Sequence, residues 1–235
     1  MARSALWREI AETLADEIGR GHSAPGDRLP TEAELAARFG VNRHTVRHAL
    51  SDLASRGLVH ARRGAGVFVT ARPTEYPIGR RVRFHQAVEA QGQVPSRELT
   101  RIETRPADPD EAQALGLTAG EPVHVVEGVS SADGQPLAAF RSVFPAWLAD
   151  LPDALRTGAS ITGALADCGV RDYTRASTRL TAKPAKPMLA LRLRVAEGSP
   201  ILRAVAVNVD GRGQPVEYGT TWFAGDRVTL TVGSD

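Results

Sequence analysis

Cysteine is nearly missing from this chain: Cys168 is the sole one in 235 residues. That excludes an internal disulfide framework and a four-cysteine zinc site. No apolar run approaches the roughly 20 residues that cross a bilayer. The amino terminus lacks the basic, apolar and small-residue succession of an export signal, so a cytoplasmic protein with no membrane partner is expected. Low-complexity tracts are missing too, and no internal repeat exceeds an echo between two hairpin signals. Nor is there an excess of one charge, with 29 Lys+Arg against 27 Asp+Glu. What is present, 42% hydrophobic and 24% charged residues, is an ordinary globular composition. The length suits one large domain or two modest ones.

The balanced total hides an uneven distribution. Residues 1–73 hold 11 Arg and 8 acids, a net +3, which leaves the remainder at −1. Within 38–63, six arginines (Arg38, Arg43, Arg47, Arg56, Arg62, Arg63) face one acid, Asp52. His44, His48 and His60 lie in the same stretch. Such a block suits either a polyanion partner or a solvated basic face, and charge by itself does not separate the two.

Local patterning gives the block a place. Leu6, Ile10, Leu14 and Ile18 recur every four residues, the stripe of a helix over Ser4 to about Arg20. Pro25-Gly26-Asp27 signals a turn. Thr31 with Glu34 forms a capping box for a second helix, stopped by Gly40. Asn42 caps a third, running to about Arg56 and ended by Gly57. Its inner stripe is Val46, Ala49, Leu50 and Leu53, and its outer face carries Arg43, His44, Arg47 and His48. Two short helices separated by Gly40-Val41 form a helix-turn-helix pattern. Two short strands around Arg62-Arg63-Gly64-Ala65-Gly66 then read as a hairpin, the wing of a winged helix. Arg43 and Arg47 project from one side, one turn apart, on the helix that enters a major groove in this motif. An arginine fork bonds O6 and N7 of guanine together, so this arrangement points to DNA. Thr45 and the amides of the helix start suit phosphates, and Arg62 and Arg63 on the wing suit the backbone or minor groove.

Residues 73–80, with two prolines and no periodicity, are expected to be a linker between a DNA-binding domain at 1–72 and a second domain at 81–235. In the second domain, short helices are expected at Arg83–Gln91, Asp110–Leu115 and Ile161–Asp167. Strands are expected at Val123–Val129 and Leu137–Phe144 around the Asp133-Gly134 hairpin signal, at Arg175–Thr181, at Ile201–Val209 and Val216–Phe223, and at Val228–Val232. The mixture implies an α+β fold with an antiparallel sheet. A two-residue turn at 133–134 pairs 128 with 139 and 126 with 141, placing Gly128, Ser130, Ala139 and Arg141 on one face. That face is read either as a cavity holding one cation or as a tight helix contact with Arg141 solvated. Cys168 reads as core rather than redox sensor. Trp147 and Trp222 read as packing groups, and His85 and His124 have no companion at metal-ligand spacing. No metal and no cofactor are expected.

The run Pro25-Gly26-Asp27-Arg28-Leu29-Pro30-Thr31-Glu32, followed by Leu35 through Leu50 and by Leu53 with Gly57-Leu58-Val59, resembles the GntR family of bacterial repressors. The resemblance implies that Arg43, His44, Thr45 and Arg47 contact operator DNA, with Arg63-Gly64 at the wing. Arg28, Thr31 and Glu32 lie where the family supports backbone contacts. His44 stands where many relatives have Ser or Thr, which bears on one contacted base.

The second domain is similar to the HutC subfamily, whose effector domain, called UTRA, is related in fold to chorismate lyase. The matching segments are Arg83-Phe84, Leu115-Gly116-Leu117 with Gly120-Glu121-Pro122, Ala132 to Leu137, Phe144-Pro145, and Gly213 to Tyr218. The Tyr76…Arg80 to Phe84 opening and Ser177-Thr178-Arg179 are most similar to regulators of phosphonate metabolism, the PhnF type. The resemblance implies an effector site near Arg83, Phe84, the hairpin, and Glu217-Tyr218. Many relatives carry an arginine near 128–130 and an acid near 140, where this chain has Gly128-Val129-Ser130 and Phe140-Arg141. Arg83, Arg141 and Arg179, with Ser177 nearby, suit an anionic phosphonate, phosphate or phosphorylated effector. The expected function is a non-enzymatic, effector-controlled repressor that binds a palindromic operator as a homodimer through its second domain. The alternatives are a lyase-like enzyme fused to a DNA-binding domain, a regulator answering to a sugar phosphate or amino-acid catabolite, and a DNA-binding protein that answers to no ligand.

Overall fold

The computed structural model describes residues 3–62, 64–70, 73–79 and 84–232. They divide into two compact units, Met1–Arg72 and Pro73–Asp235. In the first unit, α1 (Arg3–Gly19), α2 (Glu32–Phe39) and α3 (Arg43–Ser55) precede a hairpin of β1 (Val59–Arg62) and β2 (Gly66–Val69). The capping box at α2 is formed: the Glu34 amide donates to Thr31 Oγ1 and the Thr31 amide to Glu34 Oε2. Gly40 ends α2 at φ 64°, a left-handed conformation that a side chain disfavours. Asn42 Oδ1 then starts α3 by accepting from both the amide and the hydroxyl of Thr45. Leu35, Val46, Ala49, Leu50 and Leu53 meet Ile10 and Leu14 in one core, closed by Val59 and Val69 of the hairpin.

The stripe expected on α1 needs a correction. A four-residue step advances about 40° too far around a helix. The row therefore drifts, leaving Leu6 41% exposed while Ala11 and Trp7 take core positions.

The second unit runs β3 (Thr74–Pro77), α4 (Phe84–Glu89), β4 (Pro95–Pro106), α5 (Pro109–Leu115), β5 (Pro122–Ala132), β6 (Gln135–Pro145), α6 (Leu151–Arg156) and α7 (Ile161–Asp167). It continues with β7 (Tyr173–Pro184), α8 (Pro187–Leu193), β8 (Pro200–Asp210), β9 (Pro215–Ala224) and β10 (Val228–Thr231). Six strands form one antiparallel sheet in the order β4-β5-β6-β9-β8-β7. The segment expected to be a linker contains a strand: Thr74–Pro77 pairs in parallel with Val228–Thr231. Thr74 and Tyr76 face inward and Glu75 and Pro77 outward, an alternation that tolerates proline because β3 has one neighbour only.

The sheet contains an internal repeat that was not evident in the sequence. A β-α-β-β order over Pro95–Pro145 recurs over Tyr173–Ala224, with element lengths of 12, 7, 11 and 11 residues against 12, 7, 11 and 10. The last strands of the two halves, β6 and β9, meet at the centre. Little of the repeat survives as identity, because mainly caps and turns are shared. Even there a residue differs: Gly116 ends α5 at φ 66°, and Arg194 ends α8 at φ 50°.

Helices α5 and α8 cover the back of the sheet, packing Leu115 on Val123, Val125 and Val143, and Ala190 and Leu193 on Ala139 and Ile201. On the front, α6 and α7 cover one end around Phe144, Leu148 and Leu165. Tyr76 of β3 and Phe84 and Val88 of α4 cover the other around Phe223 and Val228. Cys168 is half-buried against the α6–α7 cluster, and burial pushes its thiol up. Trp222 packs against the back cluster, whereas Trp147 is 47% exposed, contrary to expectation. Leu148 beside it takes the buried place.

The back face also holds a buried carboxylate. Glu111 Oε1 accepts from Arg105 Nη2 at 2.7 Å and Arg141 Nη2 at 2.6 Å. Its Oε2 accepts from Arg105 Nη1 at 2.8 Å and the Asp108 amide at 2.9 Å. Burial pushes this carboxyl up, but the Arg105 and Asp108 hydrogen bonds and the charge of Arg141 outweigh it, holding the pKa at about 2. A depressed folded pKa gives stability that is complete above the ordinary value of 4.5 and is lost as pH falls toward 2. Equilibrium unfolding should therefore show Glu111→Gln destabilised at pH 7 by roughly 3 kcal/mol. The difference from the wild type should shrink between pH 4.5 and 2. A second prediction concerns Gly128, where an added Cβ would stand 2.3 Å from the Glu98 carbonyl and 2.8 Å from Phe140 Cζ. Gly128→Ala should lower unfolding stability by about 1–3 kcal/mol in the same measurement.

Candidate functional site

The outer face of α3 carries Arg43, His44 and Arg47, all exposed. Arg47 is not free: its Nε and Nη2 donate to Glu32 Oε1 and Oε2 at 3.1 and 2.9 Å, fork to fork. The Arg47 hydrogen bond holds the Glu32 carboxyl below its ordinary range, with the charges of Arg43 and His44 adding to it. Much of the basic block is neutralised by acids from other helices. Arg38 pairs with Glu17 of α1, and Arg56 with Glu12 and Asp52. His48 stays exposed and stacks on Trp7, with ring centroids 4.3 Å apart. Among the described side chains of the block, the open cationic surface narrows to the amino-terminal turn of α3. Thr45 is committed to the Asn42 cap, and the Thr31 hydroxyl donates to Glu34 at 2.8 Å. Arg28 lies at the base of the wing, against Gly66, where a Cβ would come within 2.7 Å of its Nε. Gly64 turns the wing at φ 76°. Arg63 and the side chain of Arg62 lie outside the described residues.

The second candidate site is a cavity of about 340 Å³ on the front of the sheet, between the two covered ends. Its sheet floor is made of small residues (Ala138, Ala204, Ala206 and Gly219), which leave room that larger side chains would fill. Arg97 of β4 and Arg175 of β7 enter it from opposite edges of the sheet. Arg97 Nε donates to Ser130 Oγ at 3.3 Å, and its guanidinium lies 5.0 Å from the Phe140 ring centroid. Burial lowers the Arg97 pKa, with Glu217 opposing. Glu217 is 9% exposed and accepts from Ser142 Oγ and Asn208 Nδ2, both at 2.6 Å. Three buried polar atoms of the lining have no hydrogen-bond partner among the described residues: His85 Nε2, Arg175 Nε and Thr178 Oγ1. Burial, and then the charge of Arg97, lower the His85 pKa, which favours a neutral imidazole. Tyr76 and Ile78, from and just after β3, complete the wall.

Phe84 and Glu217 are thus in the cavity lining, whereas Arg141, Ser177, Arg179 and Tyr218 are not. Arg83 lies outside the described residues. Arg141, Ser177 and Arg179 share a physical cause, the β-bulge, whereas Tyr218 faces away by simple alternation beside Glu217. At Asp133-Gly134 the turn pairs Ala132 with Gln135, but one extra residue on β6 shifts the register between Ser130 and Ser131. Glu127 then pairs with Arg141, and Gly128 with Phe140. Gly128 and Ser130 therefore share the front face with Ala138 and Phe140, while Ala139 and Arg141 face the back, where Arg141 meets Glu111. On β7 a second bulge falls between Arg175 and Ser177. It turns Thr178 inward and leaves Ser177 and Arg179 exposed. Tyr218 packs on the back-face cluster of Leu115 and Val143. Arg97, Arg175, Thr178, His85 and Asn208 were not read as site residues. The spacing of Tyr173 and Arg175 on one strand face was an available signal for one of them. Arg97 sits on a strand whose outward positions are mostly charged and polar, which masks its period.

Comparison with known proteins joins the two units. Residues 6–69 match the model of bacterial regulatory proteins of the gntR family, and residues 90–229 match the UTRA domain. An uncharacterized HTH-type transcriptional regulator of Rhizobium meliloti is 40% identical, the match covering 97% of this chain and 94% of the relative. The probable transcriptional regulator PhnF of Escherichia coli is 36% identical, covering 96% and 94%. The crystal structure of PhnF from Mycobacterium smegmatis superposes with a TM-score of 0.65 at 27% identity, over 100% of this chain and 99% of that one. The α+β architecture, a winged helix-turn-helix followed by an antiparallel effector domain, is the one that these matches share. The chain belongs to the GntR family of transcriptional regulators, in its UTRA-containing, HutC branch, and is most like the PhnF-type members.

Proposed function

We propose that this regulator is a cytoplasmic repressor that binds a palindromic operator as a homodimer and is controlled by a small anionic effector, a phosphonate, phosphate or phosphorylated compound. The observation that carries the effector reading is the set of unpartnered polar atoms, His85 Nε2, Arg175 Nε and Thr178 Oγ1, in a cavity that also holds Arg97. Buried polar atoms in native folds are ordinarily satisfied, so such a set calls for a ligand that supplies acceptors. Guanidinium forks match the paired oxygens of an oxyanion. The second unit then works as a sensor and not as a catalyst.

The wall of the cavity suggests how occupancy is passed on. Tyr76 packs on Phe84 and Phe223, with centroids 6.3 and 5.2 Å away, and faces the cavity from β3. That strand begins directly after the first unit. A ligand that favours one position of Tyr76 over another shifts the balance of two states by its difference in affinity for them. Association through the second unit is favoured by exposed apolar side chains on β7 and α8: Leu180, and Met188 and Leu191 at 66% and 75%. A two-fold dimer presents its recognition helices to symmetric half-sites.

On DNA, Arg43 is the residue at the α3 start best placed for base contact, since Arg47 must first exchange Glu32 for DNA. Arg43→Ala should weaken specific binding by roughly 1–3 kcal/mol. The check is a gel-shift titration on an operator obtained by selecting random duplexes with the full chain, and an unchanged affinity would remove Arg43 from the interface. For the cavity, millimolar phosphate or methylphosphonate should raise the melting temperature of the full chain in a thermal-shift assay. Arg97→Gln should abolish that rise. A rise of equal size in the variant would place the anion elsewhere.

A further inference from the structure

We propose that the effector is dipolar: an oxyanion held between Arg97 and Arg175, on a short chain ending in an ammonium group that binds Glu217. The proposal rests on the reading of the cavity as the effector site, and it adds the charge distribution of the occupant.

The internal repeat makes the asymmetry visible. Arg97 and Arg175 are each the third residue of the first strand in their half, β4 and β7. The cation is therefore duplicated across the cavity. The carboxylate is not. Ser130 of β5 pairs with Ala138 of β6, whereas Asn208, at the same place in β8, pairs with Glu217 of β9. One half of the floor carries only neutral residues, Ser130, Ala138 and Ser142 among them, where the other half carries the charge of Glu217.

That charge is incompletely answered. Glu217 receives only neutral donors, the Ser142 hydroxyl and the Asn208 amide, and among the described residues it makes no ion pair. Each carboxylate oxygen has a second lone pair to offer. Arg97 is answered by the Ser130 hydroxyl and the Phe140 ring, and Glu217 acts on it through charge alone, with no hydrogen bond or ion-pair contact between them; among the described residues the Arg175 Nε has no partner. Buried charges are ordinarily paired, so the three groups together define what the ligand brings. Two guanidinium groups call for an oxyanion, and one carboxylate calls for a cation. An oxyanion without the cation would leave the buried Glu217 facing a like charge. The alanine floor between the two ends, Ala138, Ala204 and Ala206, suits a short aliphatic link and offers it no polar partner.

The experiment is calorimetric titration of the full chain with two isosteric pairs. One is 2-aminoethylphosphonate against propylphosphonate, and the other is O-phosphoethanolamine against propyl phosphate. In each pair a methyl group replaces the ammonium and the oxyanion is kept. The amine-bearing member of at least one pair should bind about tenfold more tightly or better, and the responding pair tells a phosphonate from a phosphate ester. In Glu217→Gln, with the fold checked by circular dichroism, that ratio should fall toward one. Because Glu217 also holds Ser142 and Asn208, the wild-type ratio is the primary readout. Isosteres that bind as tightly as the amines would overturn the dipolar assignment while leaving an anion site. Binding of none of the four compounds would overturn the effector-site reading along with it.

Discussion

A strand has two sides, and every charged residue on the central sheet must commit to one of them. Arg141 and Glu127 commit to the back, where Glu111, Arg105 and Arg192 receive them in a connected set of ion pairs. Arg97, Arg175 and Glu217 commit to the front, where none of them makes an ion pair among the described residues. The division is set by single extra residues in the strands, on β4 beside Leu99, on β6 next to the turn, on β7 beside Arg175 and on β9 beside Glu217. A bulge reverses the facing of everything beyond it until the next one. The cavity, the back-face network and the packing of α5 and α8 all follow from where those reversals fall.

The winged helix was legible nearly residue by residue, and the sensing unit was not. Thr31, Gly40, Asn42 and Gly57 each act on their own backbone, so a cap or a left-handed stop can be read from a few neighbouring residues. The Asp133-Gly134 turn is local in the same sense and was read. The bulge a few residues away answers to packing across the sheet, and no nearby residue announces it. Phe84 and Glu217, placed by the family resemblance, line the cavity, while the bulges turn Arg141, Ser177 and Arg179 away from it. The proline-containing β3 failed as a reading for a related reason: its partner, β10, lies far away in sequence.

In the first unit, ion pairs within the protein restrict the positive surface. Glu17, Glu12 and Glu32 each take an arginine from the block that looked uncompensated in sequence. Exposed pairs of this kind are weak, so a phosphate can displace the carboxylate at small cost. What the acids set is the resting direction of each guanidinium. Arg47 is aligned by two hydrogen bonds to Glu32.

The pairing of β3 with β10 also dictates an order of assembly. About 150 residues of chain separate these partners. On a ribosome adding roughly 5–20 residues per second, the winged helix is synthesised and free to fold many seconds before β10 exists. Over that interval Thr74–Pro77 has no strand to dock on, and Tyr76 has no Phe223 to pack against. The unit matching the gntR family is thus complete before the partner strand of β3 in the UTRA unit has been made.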